Sequence, residues 1–378
     1  MFVRRRRDVA EQEYPEDLKE LGLFFNDKDE LRQIEKPDKT FEYKVSKNQR
    51  LNERRREAVV SCFRKLIHER LSALGLRTLK LSQGTHHTHI PILHSADLPQ
   101  NPEKCLILIP DDNNSLGLWS LRAIDGENGS FRTGSMEAIV SRAISEGYSV
   151  IIANSGALIY DPELNTTVPT HSWGAREKPW KLGGRIRQYD PTWNVVAGSE
   201  DPEAHIEMVF EKVVKNLVPK TTKIFIAAAG TGAGGLIQYL DRTYSNWASQ
   251  LQACVFSEPA YSVTALTSPQ LRLFLNKLCR TYIVNSEPTG TEVADLRFGC
   301  STFSAATMYT ECIIPLLWRE IMDYFVLALE DPEWCNPNMV IESQVGGEEG
   351  AKEALEKVKL AEGGGKVWGD GSVPGCGW

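Results

Sequence analysis

Residues 223–240, KIFIAAAGTGAGGLIQYL, constrain the fold more than any other part of the chain. Ile224, Phe225 and Ile226 read as a strand, since they are apolar and partly β-branched. The small residues Ala227 to Ala229 and the cluster Gly230, Thr231, Gly232, Ala233, Gly234, Gly235 then read as a tight turn, and Leu236 and Ile237 open a helix. A strand that enters a helix through such a turn serves two kinds of site. One is a nucleophile elbow, G-x-S-x-G, met by Gly230-Thr231-Gly232-Ala233-Gly234 with glycine where the serine belongs. The other is the dinucleotide fingerprint G-x-G-x-x-G, met by Gly230, Gly232 and Gly235.

Strands and helices alternate around this turn. TLKLSQ (78–83), CLILIP (105–110), SVIIANS (149–155), ACVFSEP (253–259), TYIVNS (281–286) and CSTFSA (300–305) read as strands. Helices are expected over 133–146, closed by Gly147, over 202–216, from Ser268, and over 311–329. Because the strands are continuously apolar, the sheet is expected to be mainly parallel with helices on both faces. Ahead of this unit, LGLFFNDKDELRQIE and TFEYKV are expected as short strands around an Asn26-Asp27-Lys28-Asp29 turn. Residues 48–74 follow as a helix with one apolar stripe, Leu51, Val59, Cys62, Phe63, Leu66, Ile67 and Leu71.

With 378 residues and a formal net charge of −7, the chain can bury a large core and has no global attraction to nucleic acid. Its longest apolar runs are strand-sized, and MFVRRRRDVAEQE lacks a hydrophobic segment behind its basic cluster, so neither secretion nor a membrane span is expected. Arg4 to Arg7 read either as a nuclear import signal or as a solvated tail. Eight cysteines without C-x-x-C spacing fit a reducing compartment, nucleus or cytosol.

A serine hydrolase needs a nucleophile at the elbow, a histidine to take its proton, and an acid. All seven histidines (68, 86, 87, 89, 94, 171, 205) precede the elbow, whereas the usual order puts the catalytic one after it. Gly232 offers no nucleophile, and Thr231 stands one position early. The dinucleotide reading asks only for backbone at the glycines and for an acid on the next strand, a place Glu258 fills. His87 and His89 share one face if extended, but no cysteine or carboxylate at ligand spacing accompanies them, so exposed edge-strand histidines are the plainer reading. No cofactor is expected. The segment 155–199 is aromatic and basic; Trp173, Arg176, Trp180, Lys181, Arg185, Arg187 and Trp193 are its candidate binding residues, either as a lid over the sheet or as a contact for protein or RNA.

LGLFFNDKDELRQIE, RLNERRREAV, ILIPDDNN, GLWSLRAIDGENGSFRTGSMEAIVSRAISEGYSVIIANSG, the elbow ending in Gly234-Gly235, VNSEPTGTEV and FSAATMYTE together resemble the Argonaute-binding protein two (Arb-two) domain family. That domain also occurs in a metazoan cotranscriptional regulator and at the C-terminus of class II fungal histone deacetylases. The resemblance implies an α/β-hydrolase-like fold. In many members the elbow carries histidine-serine-tyrosine-glycine-glycine, and a later serine-alanine-glycine-threonine stretch is followed three residues on by a histidine. Carried over, the serine falls on Gly232 and the histidine on Thr310, so the chain departs at both and resembles a pseudoenzyme. The expected layout is a charged disordered tail (1–18), one α/β-hydrolase-like domain (19–335) and a glycine-rich flexible tail (336–378). The resemblance further implies association with Argonaute and a second Argonaute-binding protein, with small RNA held indirectly, in nuclear heterochromatin formation. A cytoplasmic pool, a deacetylase-complex scaffold and a nucleotide-binding enzyme using GTGAGG stay open as alternatives.

Overall fold

The structure is a computed structural model and describes residues 12–83, 88–101, 103–125, 129–176, 189–331 and 334–336. Twelve strands are present among them: β1 Leu23–Phe25, β2 Leu31–Gln33, β3 Leu76–Leu81, β4 Ile90–Ser95, β5 Lys104–Ile109, β6 Ser149–Ile152, β7 Ile159–Asp161, β8 Thr166–Val168, β9 Lys223–Ala229, β10 Leu251–Ser257, β11 Cys279–Ile283 and β12 Ser301–Ser304. The helices are α1 Gln49–Ala73, α2 Phe131–Gly134, α3 Glu137–Ser145, α4 Thr170–Arg176, α5 Pro191–Asn194, α6 Pro202–Val209, α7 Lys215–Leu217, α8 Gly230–Trp247, α9 Pro269–Leu278 and α10 Ile313–Glu330.

Eight strands form one sheet in the order β12-β11-β10-β9-β5-β6-β4-β3. Only β4 runs against the other seven, pairing antiparallel with β3 and with β6. The two faces of the sheet can be read directly off β9. Phe225, Ala227 and Ala229 join the core formed with α1, α3 and α10, while Ile224, Ile226 and Ala228 join the core formed with α6, α8 and α9. A strand buried on both sides leaves no polar alternation, which is why its sequence is continuously apolar.

The N-terminal hairpin β1–β2 docks on α1 by burying Leu23 and Leu31 in the core that holds Phe63, and one arginine ties down its turn. Arg70 grips both carboxylate oxygens of Asp29 at 2.7 Å, reaches Glu137 at 3.1 Å and lies 4.6 Å over the Phe131 ring. Asn48 caps α1 by accepting from Leu51 N–H, as the expected helix start requires. TFEYKV, by contrast, is not a strand. It makes a single bridge, Arg32 to Thr40, and then follows side-chain partners: Phe41 is buried, and Tyr43 donates its N–H to Asp125 at 3.0 Å. The helix expected over 133–146 is two helices, because the Gly134 carbonyl turns aside to accept from Trp119 and Ser120 N–H. The helix beginning at Pro202 continues past α6 through one π-helical turn, Phe210–Val214.

Candidate functional site at the glycine turn

The apex of the turn between β9 and α8 is Gly230, whose φ of +47° lies in the left-handed region. This corrects the placement of the nucleophile position at Gly232. Gly232 stands two residues into α8 with ordinary helical backbone, and a Cβ there would lie 2.2 Å from the Pro110 carbonyl oxygen. Glycine at 232 therefore answers a packing need: the first turn of α8 rests on the end of β5. Gly234 has a similar reason, since its Cβ would lie 2.7 Å from the Ala260 carbonyl oxygen. The elbow register is thus Ala228-Ala229-Gly230-Thr231-Gly232, with small residues two before and two after the apex.

Asp111, just after β5, fills the space beside that apex. A Cβ on Gly230 would lie 2.0 Å from Asp111 Oδ1. The same oxygen accepts from Thr231 N–H at 2.8 Å, from Thr231 Oγ1–H at 3.1 Å and from Asp112 N–H at 2.8 Å. In an acyl-transfer elbow the backbone N–H after the nucleophile, together with one from the loop after the third strand, makes the oxyanion hole. Here those two places are Thr231 and Asp112, and a carboxylate of the chain already occupies both donors. Asp112 is itself shifted: burial and the neighbouring Asp111 charge raise its carboxyl above the usual range.

The rest of the rim is held by backbone. Ala260 N–H donates to the Gly230 carbonyl at 2.9 Å. Glu258, at φ +40°, lines the same small cavity as Gly230, and its Oε1 accepts from Val284 N–H at 2.7 Å, which fastens the end of β10 to that of β11. Asp111 likewise sets its negative charge where a pyrophosphate would need the same donors. A dinucleotide at this turn would have to displace the Asp111 carboxylate from the Thr231 and Asp112 donors.

The loop after β12 does return to the elbow, and Thr310 lines the same small cavity as Asp111, Gly230 and Ser257. Its hydroxyl meets only the adjacent Glu311, at 3.5 Å. Ala306, third in Ser304-Ala305-Ala306-Thr307, keeps φ at +48° although it is not glycine. Arg122 ties this loop down: it pairs with Glu311 at 2.9 Å and lies between the rings of Tyr43 (4.2 Å) and Tyr309 (4.1 Å). Nothing in the sequence spacing announces that clamp, since its three parts are far apart along the chain. Two clefts flank residues 111–114. One, of about 410 Å³, includes Asp112, Ser155, Asp201 and Thr231, and the other, of about 430 Å³, includes Tyr43, Arg56, Arg122 and His171.

The segment 155–199 is not a loop, because it contains the β7–β8 hairpin, α4 and α5. Among the described residues, its candidate contacts Trp173, Arg176 and Trp193 differ in exposure. Trp173 is buried in the fold, and Arg176 pairs with Glu16 at 3.2 Å, with Asp161 at 3.7 Å and with Glu57 at 3.9 Å. Trp193 is 61 % exposed. Trp180, Lys181, Arg185 and Arg187 lie outside the described residues, as do His86, His87, Arg4 to Arg7 and the glycine-rich tail after residue 336. His89 precedes β4, which is an inner strand and not an edge. Among the described residues no group of three or more histidine, cysteine or acidic side chains is placed to hold a metal, and no helix is long and apolar enough to cross a membrane.

The strand order, the single reversed strand and the elbow in the middle of the sheet define an α/β-hydrolase-fold protein whose elbow has no nucleophile at its apex. The chain belongs to the Arb2 domain family, whose model matches residues 14–289. It is 21% identical to the cotranscriptional regulator ARB2A of Mus musculus over 353 residues, 86% of this chain and 84% of that one. The ARB2A homolog of Dictyostelium discoideum is 24% identical over 313 residues, 79% and 78% of the two chains. Among solved structures, a histone deacetylase from Saccharomyces cerevisiae matches 70% of this chain and 97% of its own with a TM-score of 0.43 at 12% identity. A bacterial heroin esterase matches 71% and 89% with a TM-score of 0.34, also at 12% identity.

Proposed function

We propose that this protein is a catalytically inactive member of its family that works by binding: an interaction subunit of a nuclear, Argonaute-associated complex in small-RNA-directed heterochromatin formation. The observation that carries the inactive half is the Asp111 carboxylate seated on the Thr231 and Asp112 donors beside a glycine apex. Even a nucleophile supplied from elsewhere would meet an oxyanion hole already filled by negative charge, where a developing oxyanion would be repelled instead of stabilised. Purified protein is expected to show no esterase turnover and no labelling by a serine-reactive fluorophosphonate. Covalent labelling at Thr231 would overturn that half.

The binding half is supported by family membership and by relatives named as cotranscriptional regulators. Exposed Trp193 and the loop around Met308 and Tyr309, 71 % and 48 % exposed, are the proposed contacts among the described residues. Affinity purification with mass spectrometry, repeated after RNase treatment, tests this part. Recovery of Argonaute with a second Argonaute-binding protein in both samples is the expected result; recovery of deacetylase subunits without Argonaute would replace it with the deacetylase-scaffold reading.

A further inference from the structure

The cleft between the β7–β8 hairpin and α5 shares no lining residue with those at the glycine turn, and its chemistry is different. Trp173, Tyr189 and Trp193 line it together with Glu163 and Asp190, and among the described residues no lysine or arginine does so. Aromatic residues make up 9% of the chain but three of the eight described residues around this cleft, so they are concentrated here. Two of them stay in contact with water: Trp193 is 61 % exposed and Tyr189 47 %. The cleft holds about 680 Å³, within the range of ligand sites.

Local bonding fixes the backbone of this cleft. Asn194 is buried; its Oδ1 accepts from Asp190 N–H at 2.8 Å and its amide nitrogen donates to the Tyr160 carbonyl at 2.8 Å, which locks the one-turn helix α5 to β7. Asp190 caps the same helix by accepting from Thr192 N–H at 2.9 Å. The backbone that carries Tyr189 and Trp193 is thus set in advance, and less ordering is left for a ligand to impose. The same bonds decide what the cleft can recognise. A sugar needs directed hydrogen bonds, but the Asn194 amide is committed at both its nitrogen and its oxygen. Aromatic rings and carboxylates remain, and both attract positive charge. A primary ammonium group is strongly hydrated and gives up its water reluctantly. A trimethylammonium group carries the same charge behind an apolar surface, so it gains from the rings and the acids together.

We propose that the cleft between the β7–β8 hairpin and α5 binds a trimethylammonium cation, held by Trp173, Tyr189 and Trp193 and balanced by the Asp190 carboxylate. Such binding needs no Argonaute complex, so the purified full chain tests it. Isothermal titration compares four probes: choline, Nα-acetyl trimethyllysine methyl amide, the unmethylated counterpart of that amide, and dimethylbutanol, the uncharged carbon isostere of choline. Saturable binding of choline or of the trimethyllysine probe is expected, the tighter of the two marking the source as a small molecule or a modified protein. The unmethylated probe and dimethylbutanol are expected to bind at least about tenfold more weakly. Trp193→Ala is expected to weaken binding about tenfold without changing the melting temperature, since the side chain is mostly exposed. Asp190→Asn keeps a capping oxygen and is expected to weaken binding about threefold. Equal binding of dimethylbutanol or of the unmethylated probe, unchanged affinity in Trp193→Ala, or no heat with either trimethylammonium probe at millimolar concentration would each overturn the proposal.

Discussion

At Gly230 two requirements fall on one residue. The backbone needs a φ of +47°, which costs an L-residue about 1–2 kcal/mol, and Asp111 Oδ1 leaves no room for a Cβ. Gly230→Ala is therefore expected to destabilise the fold by about 3 kcal/mol or more, because the Asp111 carboxylate must also give up its bonds to Thr231 and Asp112. Removing that carboxylate first changes the outcome. In an Asp111→Gly background only the backbone cost remains, so Gly230→Ala is expected to cost about 1–2 kcal/mol, a coupling of at least about 1 kcal/mol in a double-mutant cycle by urea unfolding. Additive effects would mean that the two residues do not compete for one space. The glycines at 230, 232 and 234 are legible in the sequence as a tight turn. Which of them is the apex is not, because the alternating pattern fits two registers and only φ separates them.

Among the elements, α6 and β6 are joined by a buried histidine that sequence reading leaves without a role. His205 Nε2 accepts from Asn154 N–H at 2.9 Å, so its proton sits on Nδ1 and is donated to Ser199 Oγ at 3.1 Å. Burial pushes the His205 pKa down to about 3 from 6.5. Between those values the unfolded chain binds a proton that the folded chain refuses, so this group contributes full stability above pH 6.5 and loses it as pH falls. The contribution is about 1.4 kcal/mol per pH unit over that interval. In His205→Gln, whose amide oxygen can still accept from Asn154, the loss of stability between pH 7 and pH 5 is expected to be smaller than in the wild type by about 2 kcal/mol. Urea midpoints at the two pH values measure it, and equal losses in both proteins would remove His205 as the cause. Other elements differ in how openly they are written. The α1 stripe repeats at helical spacing from Leu51 to Leu71, and the limits expected from the sequence match Gln49–Ala73 within a residue. β4 hides, because THHTHIPILH carries a proline and four histidines around a run that the fold places inside the sheet.

At the scale of the whole molecule, the class of fold was settled before any coordinate. Continuously apolar strands alternating with amphipathic helices require a sheet covered on both faces, and a glycine turn after one of them requires a strand-to-helix elbow. The order of the seven histidines likewise removes the usual hydrolase arrangement, since chain order is a property of the sequence itself. Local periodicity reports which face a residue presents, and small residues report where backbone comes close. Neither reports what comes close to them. That Asp111, 119 residues before Gly230, occupies the space of the missing nucleophile follows only from the pairing of β5 with β9. The same holds for Arg122 between Tyr43 and Tyr309, and for Trp173, which composition marked as a contact and packing placed in the core. The sequence by itself determined the strand-helix alternation, the long α1 helix and the glycine elbow without a serine. Only the tertiary structure decided what fills it, because contacts between distant segments depend on strand order and register, which short-range residue preferences do not encode.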